Sequence, residues 1–250
     1  MTLTHRTVVV PLRVVCGAVA LLETAFAAGY WSAVSGGWFG LSRRIDAKLG
    51  DPFDGLRELA QRERARVDTI KDRLKANLIA SRTAAQALGI ALPPLPDDPA
   101  GYDAWRPMVD DLVGAWAQTG PRTRSVWSAG SAAGDLIRHW NAFILELRFL
   151  MEDPGAPDLE QDVFAEGARV ASAAARAHAA VTDPAAHPAL AGLGALCAES
   201  AEELADRMRA DLTRHEIAEL GRWCNERMDR LTRASLLALH ALREDGVAEA

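Results

Sequence analysis

The 250-residue sequence predicts an all-α protein: an irregular bundle of six or seven helices with one long charged helix over about 52–88. Three observations carry that expectation. Alanine is abundant, and after Val10 no run of Val, Ile, Thr and Tyr alternates at the period of two that a half-buried strand requires. Apolar side chains recur instead at spacings of three and four, most cleanly at Ile137, Trp140, Ile144, Leu147 and Met151. Proline-containing steps (Asp51-Pro52, Asp98-Pro99, Thr119-Gly120-Pro121, Asp153-Pro154-Gly155, Asp183-Pro184) divide the chain into helix-sized pieces.

The first element is the least ordinary. From Val8 to Leu41 the chain is almost wholly apolar or small, with charge only at Arg13 and Glu23. Pro11 suits a first helical turn and Ser35-Gly36-Gly37 ends the pattern, so the first helix runs from about Pro11 to Val34. Gly17, Ala20, Thr24 and Ala28 share a side with Arg13 and form a groove that admits another helix at close range, in lipid or in a dry core. Val15, Val19, Leu22 and Phe26 lie opposite. Basic residues, the apolar run and the Ala25-Phe26-Ala27 step are signal-peptide features, but Pro11 and Glu23 argue against cleavage. The stretch from Val14 to Val34 could reach across a bilayer, yet Glu23 near its middle would be costly there. The expectation is an uncleaved helix that is buried or lies at an interface. Trp31, Trp38 and Phe39 cluster near its end with Arg43 and Arg44 just beyond, the composition of an interfacial anchor.

Asp51 as cap and Pro52 as first helical residue open the second helix, which reaches about Leu88. Phe53, Leu56, Leu59, Val67, Ile70, Leu74 and Leu78 form a narrow seam near heptad spacing, and most of the remainder is charged. A seam that narrow serves one neighbour, either a bundle or a second copy of the chain. A proline-rich linker, 93–98, then separates residues 1–92 from a helical bundle over 99–250. In that bundle a helix over about 100–118 precedes one over 123–151 that is apolar on most faces and therefore central. Asp158 with Gln161 suggests a capping box for a helix to about Val181, whose packing face takes in Val163, Phe164, Val170 and Ala174. Thr213 with Glu216 suggests a second box, breaking the last helical region, 189–244, near Leu212.

Charge is unevenly placed. The net −6 resolves into +3 over residues 1–50, +2 over 51–89 and −11 over the rest. A cationic, apolar front third on an acidic body suits an anionic surface or an acidic partner, and the overall balance disfavours nucleic acid. Cys16, Cys197 and Cys224 are far apart, odd in number and without metal-ligand spacing, which fits buried free thiols in a reducing compartment. No cofactor and no metal site is expected. His215 with Glu219 is similar to one fragment of the hemerythrin pattern, without its histidine pairs. His178 and His187 straddle a turn and read as surface residues.

The one constellation that could carry chemistry lies on the central helix: Asp135, Arg138, His139 and Glu146, with Asn141 and Arg148 nearby. Asp135 and His139 are one turn apart and Glu146 two turns further, all on one side. Sheltered carboxylate and imidazole groups can act as acid and base or as metal ligands; they can equally form a polar tie between helices.

The functional expectation is a non-catalytic interaction or scaffold protein. Residues 1–44, through Trp31, Trp38, Phe39, Arg43 and Arg44, dock on a lipid or granule surface or a partner protein, and helix 52–88 supports a homo-oligomer. The alternative is a helical-bundle enzyme or small-ligand or metal-binding protein with its polar site on helix 125–151. In its alanine-rich, helical, amphipathic character the first ninety residues resemble phasin-type granule-coating proteins, without a diagnostic motif; the proline-rich linker and the tryptophan-rich remainder depart from that pattern. Together with the cysteine usage, the expectation is a cytoplasmic protein able to lie peripheral to a membrane or granule.

Overall fold

The computed structural model describes residues 25–31, 33–34, 58, 61–62, 65, 68–69, 72–73, 75–76, 78–80, 82–83, 86, 111, 121–183 and 188–248. The protein is all-α, its helices packed on one another, with no strand among the described residues. We label as α1 the described helical residues between 25 and 34, and as α2 those between 58 and 86. Then follow α3 (Pro121–Glu152), α4 (Pro157–Thr182), a 3-10 turn (Pro188–Leu190), α5 (Ala191–Arg207) and α6 (Arg214–Ala248).

α3 is the centre. Ile137, Trp140, Ile144 and Leu147 of its expected stripe are buried, and so are Leu136, Phe143, Leu145, Phe149 and Leu150 on its other faces. A helix this apolar must be covered all round. α4 and α6 both pack on α3, and α5 packs on α4 and α6. Trp140, fully buried, donates its indole N–H to the Cys224 carbonyl on α6 at 2.8 Å, so the largest core side chain also meets its polar requirement.

α1 reaches this centre at very short range. A Cβ on Gly130 would stand 2.3 Å from the Phe26 carbonyl oxygen. One on Gly134 would stand 2.3 Å from the Tyr30 oxygen, and one on Gly29 would stand 2.8 Å from the Trp127 oxygen. Backbone therefore lies on backbone, which only glycine at these positions allows. The close approach to α3 runs through Phe26, Gly29, Tyr30 and Ala33, and Ala25 to Ala28 are all buried. Gly17, Ala20 and Thr24 of the expected small-residue groove lie outside the described residues. Tyr30 stacks beside Phe26 and hydrogen-bonds Thr232 of α6; burial pushes its phenol pKa up to about 12 despite that bond and the nearby Arg73. On α2, Leu78 of the expected seam is fully buried, whereas Glu58, Arg62, Asp68, Asp72, Lys75 and Ile79 are exposed. The rest of the seam (Phe53, Leu56, Leu59, Val67, Ile70, Leu74), the linker 93–98 and the helix expected at 100–118, Asp111 apart, lie outside the described residues.

Helix ends follow local chemistry, with one correction. Thr213 caps α6 reciprocally with Glu216: the Thr213 N–H and hydroxyl donate to the Glu216 carboxylate at 2.9 and 2.7 Å, and the Glu216 N–H donates back at 3.4 Å. The expected box at Asp158 and Gln161 does not form. α4 starts at Pro157, with Ala156 as an extended cap residue that makes no side-chain bond. The proline ring presets helical φ, so Asp158 falls inside the first turn, where its charge faces the helix dipole. Phe164, expected on the packing face, is 37% exposed. It sits one residue round from buried Val163, and Glu166, Gly167, Val170 and Ala173 complete the face instead. Between α5 and α6, Asp211 adopts a left-handed φ of 58° and its N–H donates to Glu160 of α4 at 3.0 Å.

The crossing makes opposite predictions for two kinds of helical glycine. Gly130→Ala forces a methyl into the Phe26 backbone and should cost about 1–3 kcal/mol net, a fall of several degrees in Tm. Gly221→Ala, where an added Cβ meets nothing within 4 Å, should gain about 0.5–1 kcal/mol from helix propensity. Thermal unfolding of both variants checks this; equal shifts would contradict the close crossing.

Candidate functional site

The candidate site grows from a conflict on α4. Its inward stripe runs through Val163, Val170, Ala173, Ala174 and Ala177, and Glu166 falls within it. A carboxylate there must be paired, and it is. Its side chain is 3% exposed, and His139 of α3 donates from Nδ1 to its Oε1 at 2.7 Å. Arg169, one turn along α4, donates to Oε2 at 2.6 Å. Burial pushes the Glu166 carboxyl up, but the hydrogen bonds from His139 and Arg169, with the Arg169 charge, outweigh it, and the group ends below its ordinary 4.5.

The other face of the His139 ring is also used. Arg138 Nη2 lies 2.9 Å from His139 Nε2. A guanidinium has only donors, so Nε2 accepts and the imidazole is the neutral tautomer with its proton on Nδ1. Arg138 Nε in turn lies 3.4 Å from Asp135 Oδ1, a half-exposed pair. The result is a chain from rim to core: Asp135, Arg138, His139, Glu166, Arg169. Both imidazole nitrogens and both Glu166 oxygens are engaged. An imidazole braced by a carboxylate is oriented as a base or a metal ligand would be, but Nε2 becomes available to a substrate only if Arg138 swings aside.

The structure thus draws together Asp135, Arg138 and His139. Glu146, roughly 10 Å further along the helix axis, is fully buried. Arg148 is half-buried, and Asn141 donates to the Ile137 carbonyl of its own helix at 2.9 Å. Glu166 is the residue the sequence reading missed. Its signal was present: a glutamate at a position whose spacing from Val163 and Val170 marks it as core. His178, read as a surface residue, is half-buried and donates to the Gly194 carbonyl at 3.0 Å; His187 lies outside the described residues. His215 and Glu219 form an exposed pair at 3.4 Å. Among the described residues no group of three or more His, Cys, Asp or Glu side chains is arranged to hold a metal ion.

A second polar cluster joins α5 to α6. Arg227, 4% exposed, hydrogen-bonds Glu203 and lies 3.0 Å from Glu199. Trp223 donates to Glu203 at 3.1 Å, with the Arg207 guanidinium 4.7 Å over its ring and Trp140 tilted beside it. Cys197 and Cys224 are buried free thiols. Burial pushes Cys197 up to about 12 and Cys224 up as well, against a small opposing effect of Arg207, so neither is a nucleophile at neutral pH.

Of the expected interface residues, Trp31 is half-buried at the edge of the core, edge-on to Tyr30 at 4.9 Å, with the Arg73 guanidinium 4.9 Å over its ring. Trp38, Phe39, Arg43 and Arg44 lie outside the described residues. Among the described residues no helix is long and apolar enough to cross a membrane. Compared with known proteins, the chain matches no family model, no curated protein and no solved structure.

Two outcomes follow for the α3–α4 network. Because the Glu166 carboxyl is held low in the folded chain, its charged form stabilises fully above about pH 4.5, and that contribution fades as pH falls through the lowered value. Glu166→Gln should therefore cost about 1–3 kcal/mol at pH 7, and denaturation curves of variant and parent should converge in acid; a pH-independent gap would contradict the ion pairing. Nitrogen-15 NMR of the His139 ring at pH 8 should show the proton on Nδ1, and an Nε2–H signal would overturn the Arg138 contact.

Proposed function

We propose that this chain is a non-catalytic helical interaction protein whose cationic, apolar front third docks on a lipid or granule surface or a partner protein, with an anionic lipid surface the occupant its charge favours. The observation that carries the reading is the contact at the end of α1: the half-buried Trp31 with Arg73 of α2 over its ring. An amphipathic indole beside a cation at the margin of an apolar core is the arrangement that interfacial anchors use. The same margin continues in sequence into Trp38, Phe39, Arg43 and Arg44. Ala25 to Ala28, Tyr30 and Val34 are packed in the chain's own core, so the docking surface narrows to Trp31 and residues 35–44. α2 supports the reading as an element exposed at most of its described positions and rich in charge (Glu58, Arg62, Asp68, Asp72, Arg73, Lys75), the character of a flank able to pair with a second copy.

Flotation with vesicles tests this. The full chain should float with vesicles rich in phosphatidylglycerol and stay behind with phosphatidylcholine alone, and 0.5 M salt should weaken the association as exposed charges are screened. Arg43→Glu with Arg44→Glu should abolish it at unchanged Tm. Absence of the parent chain from both vesicle fractions would sink the lipid reading and leave a protein partner.

One observation favours a second reading, a small-ligand or metal-binding site on α3: the His139–Glu166 pair is held on two helices, with the imidazole oriented by a braced carboxylate. Under it, a calorimetric titration with Zn2+ should show uptake by the parent chain that His139→Ala removes with little loss of stability. No uptake by the parent, or unfolding of His139→Ala with uptake unchanged, would leave the pair a tie between helices.

A further inference from the structure

We draw no further inference here: the strongest candidate, the surface patch made by Leu236 and Leu237 on the outer side of α6 (50% and 70% exposed), carries nothing because nothing in the structure shows what covers it.

Discussion

A helix enclosed on nearly every face makes two demands on its surroundings, and α3 makes both. Its apolar side chains need cover in several directions at once, so α1, α4 and α6 are each placed by the face of α3 that they shield. Its polar side chains need partners where water does not reach. Trp140 finds one in the Cys224 carbonyl, His139 in Glu166, and Asn141 in its own helix. The arrangement of the other helices is largely the joint solution to these requirements. The glycines at 130 and 134 add a third condition, since they let α1 lie against backbone where any larger residue would hold it off.

The two polar clusters do different physical work. Between α3 and α4 the carboxylate is the sheltered member and is answered from both sides, so one buried charge ties the two helices together. Between α5 and α6 the sheltered member is the Arg227 guanidinium, and the carboxylates of Glu199 and Glu203 stand at the rim, 46% and 36% exposed. Removing a buried charge's partner is far more damaging than removing an exposed pair. By that rule the sensitive positions are the ones that answer the two buried charges: His139 and Arg169 around Glu166, and Glu199 and Glu203 around Arg227. In the His139 site every strong acceptor has a donor: Arg138 for His139 Nε2, and His139 and Arg169 for the two Glu166 oxygens.

The front of the chain combines two characters. Over the described part of the first helix the apolar side chains are satisfied internally, so the oiliness of Ala25 to Val34 is accounted for by the bundle itself. What that burial leaves at the margin is Trp31 and the cation above it. The cationic excess of the first 89 residues, set against a body carrying −11, remains a property of the whole chain's charge distribution. It is this separation of charge, more than apolar surface, that distinguishes the proposed docking end from the rest of the molecule.

Much of the architecture was legible from residues close together in sequence. The stripe through Ile137 and Leu147, the proline punctuation and the Thr213–Glu216 box depend on three- and four-residue neighbours, and those relations are set by helix geometry alone. Local rules also misled in places. Pro157 outcompeted Asp158 for control of the α4 start, and Phe164 proved to be one step round the helix from the core. Glu166 opposite His139, Gly130 beneath Phe26, and Thr232 against Tyr30 required the tertiary structure, because each pairs residues 27 to 202 positions apart. Periodicity says which side of a helix faces inward; it does not say which helix waits there, since that choice is made by shape and charge complementarity among all the faces at once.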